Sequence, residues 1–152
     1  MNPDRRITLV TGGARSGKSA LAETLAGRAG GPLVYVATAE ARDPEMTRRI
    51  ASHRDRRGPG WQTVEEALDL PGVLARTQGV RLVDCLTLWL SNVMAAGDPE
   101  PAVAGLCAAL ARTPDPVVLV TNELGQGIVP ENALARRFRD AHGLSLIHIS
   151  EP

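Results

Sequence analysis

Hydrophobic residues along this chain fall into short unbroken runs, separated by longer stretches in which apolar and polar positions recur at helical spacing. Four runs read as buried strands: Arg5–Thr11 ("RRITLVT"), Pro32–Thr38 ("PLVYVAT"), Val80–Asp84 ("VRLVD") and Pro116–Thr121 ("PVVLVT"). Each is mainly apolar rather than alternating, the pattern of strands covered on both faces. Between them lie predicted helices. Gly17–Ala29 carries Leu21, Ala22, Leu25, Ala26 and Ala29 on one stripe. Asp43–Arg57 starts on a capping aspartate with Pro44 in its first turn, and Gly58–Gly60 stops it. Glu65–Thr77 reads as partly helical and broken near Pro71. "LTLWLSNVMAA" follows Val80–Asp84 as an apolar helix, Gly97–Pro101 is a linker or turn, and Ala102–Arg112 and Glu131–Ala141 are helical. Strands alternating with helices predict an α/β fold in three layers, with a mainly parallel sheet covered by helices on both faces.

A chain of 152 residues is long enough for one domain with a real core. Acids and bases balance at 17 each, which excludes a general nucleic-acid or membrane-surface binder, since those carry an excess of base. Aromatic residues make up 3%, too few for the stacking platform of a nucleic-acid motor. No apolar run approaches the ~20 residues that span a bilayer, and the N-terminus has no signal-peptide core, so a cytoplasmic protein is expected. Cys85 and Cys107 have no metal-ligand spacing and read as reduced thiols.

Sixteen of the cations are arginine and one, Lys18, is lysine. That lysine falls in "GGARSGKS", Gly12–Ser19, between a predicted strand and a predicted helix. The spacing G-x-x-x-x-G-K-S is that of a P-loop, so the fold expected is P-loop NTPase-like. Glycines let the loop of Gly12, Gly13, Ala14, Arg15, Ser16 and Gly17 curl, so that backbone N–H groups converge on phosphate oxygens. The helix start adds its dipole. Lys18 neutralises the outer phosphates, and the Ser19 hydroxyl can ligate Mg²⁺. Asp84 ends an apolar strand at the carboxyl edge of the sheet, where it can hold the metal shell or take a proton; a plain helix cap is the other reading. "TNEL" at Thr121–Leu124 is not a guanine-reading N-K-x-D motif, so the base is not legible from this motif.

In "EMTRRIASHRDRRGPGW", five arginines surround one histidine, His53. At helical spacing Met46, Ile50 and His53 share a face, with Arg49, Arg56 and Arg57 as neighbours. One reading is a solvated basic helix with a histidine on its apolar edge. The other is chemical: clustered arginines bind phosphate and lower the imidazole pKa, leaving a neutral nucleophile for phosphorus.

"TGGARSGKS", "YVATA", the His–Arg segment with its following Trp61 and Glu65, "VDCLTLWLSN" and "TNELGQGIVPENALARRFRD" together resemble the bifunctional adenosylcobinamide kinase / adenosylcobinamide-phosphate guanylyltransferase family of cobalamin biosynthesis. The resemblance covers Ile7–Gly143. It implies phosphorylation of adenosylcobinamide by ATP or GTP, then transfer of GMP from GTP to adenosylcobinamide phosphate through a GMP–histidine phosphoramidate. The matching histidine is His53. Arg54, Asp55, Arg56 and Arg57 would hold phosphate charge or contact the nucleotide, and Ala37, Thr38, Ala39, Glu65 and Asp84 would line the nucleotide site. Mg²⁺ and a homo-oligomer are implied with it. Gly125–Asn132 reads either as a plain strand-to-helix connection or as a contact for the corrinoid or a neighbouring subunit. The last nine residues, "LSLIHISEP", do not continue the family pattern. They read as the tail of a truncated or misassembled frame, which would leave the sheet without its last strand and expose a neighbouring edge. His142 and His148 are therefore not taken as metal ligands. Two rival readings share the cradle: another small-molecule kinase in which His53 only binds phosphate, and a nucleotide-binding protein without turnover.

Overall fold

The computed structural model describes residues 7–13, 17–39, 44, 47–48, 51–52, 55, 60–122 and 144–149. Its centre is a six-stranded sheet: β1 (Ile7–Gly12), β2 (Leu33–Ala37), β3 (Trp61–Glu65), β4 (Val80–Asp84), β5 (Val117–Asn122) and β6 (Leu144–Ile149). The strand order is β3-β2-β4-β5-β1-β6, and every pair is parallel.

Alternate residues of each interior strand feed two separate cores. Ile7, Leu9, Val34, Val36, Val83, Val117 and Leu119 face one layer, where they meet α2 (Leu70–Arg76), α3 (Leu86–Ala96) and α4 (Pro99–Arg112). Val10, Tyr35, Ala37, Leu82, Val118 and Val120 face the other, which α1 (Lys18–Ala29) covers. Of the expected α1 stripe, Ala22 and Ala26 are fully buried, Leu21 and Leu25 pack partly buried against the same core, and Ala29 is exposed. Both faces being covered explains why these strands read as continuous apolar runs.

Three boundaries differ from the sequence reading. Residues 61–65 form a strand, not the approach to a helix. β3 is an edge strand with partly exposed side chains, so it lacks the apolar run that marked the others. α2 begins at Leu70 on the Asp69 cap, whose carboxylate accepts from Gly72 N at 2.9 Å, and Pro71 sits in its first turn instead of breaking it. α4 begins at Pro99, inside the expected linker. Asp98 caps it by accepting from Glu100 N at 3.1 Å, and prolines are tolerated in a first turn whose N–H groups lack helical partners.

The expected loss of the last strand is also corrected. Leu144–Ile149 pairs in register with β1 from Ile7↔Leu144 to Gly12↔Ile149, so β1 is an interior strand. An unpaired edge is a template for any short segment of high β-propensity, and "LSLIHI" is one. Within the expected Asp43–Arg57 helix, the described residues Pro44, Thr47, Arg48, Ala51, Ser52 and Asp55 are helical and exposed. By spacing they form the stripe opposite to the one assigned to Met46, Ile50 and His53. Those three lie outside the described residues, as does the Glu131–Ala141 helix.

Candidate active site

β1 delivers Gly12 and Gly13 to the carboxyl edge of the sheet, and α1 leaves from Gly17 and Lys18 directly beyond. Gly17 has φ +83°, a left-handed conformation that a side chain would oppose, and among the described residues no side chain caps the helix start. The first N–H groups of α1 are thus left for an anion. Lys18 is only 6% exposed, and its Nζ donates to the Gly13 carbonyl at 3.0 Å. One of its three donors is thus engaged at the end of β1. Ser19, one residue into the helix, is half-buried.

Register gathers the other strand ends. Ala37 pairs with Glu65 on one side and with Asp84 on the other. Asp84 Oδ2 accepts from the Tyr35 hydroxyl at 2.6 Å, which fixes the carboxylate against the sheet edge. Thr38, fully buried, locks the end of β2 to the start of α3: its N–H donates to Asp84 O, its hydroxyl donates to Cys85 O at 2.8 Å, and the same oxygen accepts from Cys85 N at 2.9 Å. Asn92 on α3 donates through Nδ2 to Thr38 O and to Ala67 O, both at 3.1 Å. Trp89 Nε1 donates to Leu68 O at 2.8 Å. The segments after β2 and after β3 are therefore both tied to α3. Cys85 caps α3 through its sulfur, which accepts from Leu88 N. Burial, with a smaller push from the Asp84 charge, raises the Cys85 thiol pKa and keeps the thiol protonated.

Gly12, Gly13, Gly17, Lys18, Ser19, Ala37, Thr38, Ala39, Glu65 and Asp84 all lie at or next to the carboxyl edge of the sheet, where open α/β sheets bind ligands. Asp55 is helical and exposed, and among the described residues no bond joins it to the cradle. Ala14, Arg15, Ser16, His53, Arg54, Arg56 and Arg57 lie outside the described residues. Sequence reasoning missed Tyr35, Cys85, Trp89 and Asn92. The last three recur at i, i+4 and i+7 along "CLTLWLSN", so one polar-tipped stripe inside an apolar helix was the available signal.

The family model for cobinamide kinase / cobinamide phosphate guanyltransferase matches residues 8–151. The chain belongs to this family. The match runs beyond Gly143, where the sequence resemblance ended, and takes in β6. Membership makes the protein a transferase of the kinase and guanylyltransferase class in cobalamin biosynthesis. It is 48% identical over 141 residues to the bifunctional adenosylcobalamin biosynthesis protein CobP of Pseudomonas aeruginosa, covering 89% of this chain and 82% of the relative. It is 42% identical over 156 residues to the bifunctional adenosylcobalamin biosynthesis protein CobU of Escherichia coli, covering 90% and 86%. Among solved structures, the RadB recombinase superposes with TM-score 0.61 at 18% identity over 98% of this chain and 76% of that one. The KaiC-like protein PH0186 of Pyrococcus horikoshii gives 0.60 at 17% over 96% and 72%. At such identities the likeness is one of fold, and the fold is that of P-loop NTPases. Among the described residues no helix is long and apolar enough to cross a membrane.

Proposed function

We propose that this member of the cobinamide kinase / guanylyltransferase family phosphorylates adenosylcobinamide with ATP or GTP and then guanylylates the product. The observation that carries the reading is the convergence of the buried Lys18, folded onto Gly13, with Asp84 at one sheet edge in a chain of this family. In the first step an aminopropanol hydroxyl oxygen bonds to the γ-phosphorus, the bond to the β-phosphate oxygen breaks, and a nucleoside diphosphate leaves. In the second, an imidazole nitrogen of His53 bonds to the α-phosphorus of GTP and pyrophosphate leaves. A phosphate oxygen of adenosylcobinamide phosphate then displaces the histidine and yields adenosylcobinamide-GDP.

Residues 12–17 cradle phosphate through backbone N–H groups, and Lys18 neutralises the departing charge. Ala37–Ala39 and Glu65 line the nucleoside, while the role of Arg54, Asp55, Arg56 and Arg57 is to hold phosphate charge or contact the nucleotide. Ser19 and Asp84 offer the hard oxygen donors that Mg²⁺ uses alongside substrate phosphates. The Tyr35 bond occupies one Asp84 oxygen and leaves the other for the metal shell. When bound, Mg²⁺ supplies charge neutralisation for the phosphates. A homo-oligomer is part of the same reading.

The test uses GTP labelled at the α-phosphorus, with Mg²⁺ and no corrinoid, on the full chain, His53→Ala and Lys18→Ala. An acid-labile, alkali-stable label on the wild type alone is the expected result. A label that persists in His53→Ala, or its absence from a wild type shown by circular dichroism to be folded, would refute the guanylyl-transfer step.

A further inference from the structure

Tyr35 is the one tyrosine of the chain, and it sits where a plain hydrocarbon ring would pack as well. It is 6% exposed, in the core layer under α1 that also holds Val10, Ala22, Leu82, Val118 and Val120. A hydroxyl buried in an apolar layer is costly unless it is bonded. Here it donates to Asp84 Oδ2 at 2.6 Å, the length of a bond from a hydroxyl to a carboxylate.

Register explains how the two meet. Tyr35 pairs with Leu82 and Ala37 with Asp84, so Asp84 follows Leu82 on the same face of the sheet. That face is the one α1 covers, and α1 starts at Lys18. The Asp84 carboxylate therefore leaves the sheet on the side of the cradle. Its main chain is already held: Asp84 O accepts from Thr38 N at 3.2 Å, and the N–H of the next residue, Cys85, donates to Thr38 Oγ1 at 2.9 Å. What remains is rotation of the Asp84 side chain, and the Tyr35 hydroxyl restrains it. That hydroxyl is neutral. It orients the carboxylate without cancelling the negative charge that draws a divalent cation, as an arginine in its place would do.

We propose that Tyr35 is a positioning residue: by donating to Oδ2 it holds the Asp84 carboxylate with Oδ1 left for the divalent cation that accompanies the nucleotide phosphates, and so sets how strongly metal and nucleotide bind together. The proposal rests on the reading of Asp84 as a donor to that metal. Tyr35 acts through Asp84 and not on the nucleotide. Hydrogen-bond partners of a metal-binding carboxylate fix its aim, and losing one commonly weakens the metal by about 10- to 100-fold.

The test compares the affinity of the full chain for a non-hydrolysable GTP analogue with Mn²⁺ and in EDTA. Equilibrium dialysis measures it for wild type, Tyr35→Phe, Asp84→Asn and the double variant, and circular dichroism checks each fold. The ratio of the two affinities is the coupling of metal to nucleotide. Tyr35→Phe keeps the ring and should lower the coupling by about tenfold while leaving the metal-free affinity unchanged. Asp84→Asn should lower the coupling further, and Tyr35→Phe should add nothing in that background. In the wild type, tyrosine labelled with ¹³C at Cζ gives a single resonance, which should move when Mg²⁺ joins the bound analogue. A loss in Asp84→Asn with none in Tyr35→Phe would overturn the positioning role alone. A loss in Tyr35→Phe that is equal with and without metal would mark a packing role and overturn it too. Undiminished coupling in Asp84→Asn would remove the metal role of Asp84 and the proposal with it. Should Tyr35→Phe fail to fold, a Cζ resonance indifferent to Mg²⁺ would overturn the proposal by itself.

Discussion

Asn92 is where the candidate site depends most on one side chain outside it. Its Nδ2 sits between two carbonyl oxygens, Thr38 O and Ala67 O, at 3.1 Å each. Only a donor fits between two acceptors, so the near-isosteric Asn92→Asp replaces both bonds with oxygen facing oxygen. Each lost bond is worth about 1 kcal/mol net. Thr38 is 0% exposed, so water does not readily replace the lost donor at its carbonyl, and that acceptor adds roughly 1–2 kcal/mol. Asn92→Asp should therefore destabilise by about 3–4 kcal/mol, and Asn92→Ala, which leaves room for water, by about 2. Urea unfolding at pH 7, read from midpoint and slope, measures both. Nucleotide affinity should weaken in parallel, because Ala37–Ala39 and the segment after Glu65 lose their common anchor. An Asn92→Asp chain within about 0.5 kcal/mol of wild type would refute the assigned amide orientation and the anchoring role.

Two further outcomes follow from the fold. Gly79 has φ +94°, and a Cβ there would run into the Pro32 carbonyl that accepts from Val80 N, so Gly79→Ala should cost about 3 kcal/mol in urea melts, and a neutral result would contradict the β2–β4 junction. The Glu66 pKa is lowered from 4.5, chiefly by the backbone N–H groups of Asp69 and Leu68 and further by Arg76. A depressed folded pKa contributes stability above the unfolded value that is lost as pH falls through the folded one. Glu66→Gln should accordingly melt below wild type at pH 7 and converge with it in acid below that window; a gap that stays constant with pH would exclude the ionised carboxylate as its cause.

The legible and illegible parts of this protein divide along chain separation. β1, the cradle and α1 form one continuous stretch, and a local pattern of glycines, one lysine and an apolar run contained all of it. Asp84 was legible because it terminates a strand whose apolar run is unmistakable. Proline misled at Pro71, Pro99 and Pro101, since its effect depends on whether an aspartate caps the turn before it, and Asp69 and Asp98 both do. β3 was hidden because an edge strand has no apolar run to show. The locks around Thr38 were out of reach for another reason: Thr38 meets Cys85 and Asn92 across 47 and 54 residues, and no local pattern encodes a distant partner.

Strand order is what converts these separate segments into one site. In a parallel sheet every carboxyl end lies on the same edge, so any residue that terminates a strand is a candidate for chemistry there. Which ends become neighbours is set by the order β3-β2-β4-β5-β1-β6 alone. Ala37 stands between Glu65 and Asp84 because β2 lies between β3 and β4. Tyr35, two residues back on the same strand, reaches Asp84 for the same reason. Exchanging β2 with β1 would preserve much of the apolar burial, since both are buried along most of their length, yet it would part β2 from β4 and dissolve the Tyr35–Asp84 bond and the Thr38 lock. The polar contacts at strand ends therefore discriminate between sheet orders that burial alone leaves close in energy, and the groups that would hold a nucleotide also help to select the fold that presents it.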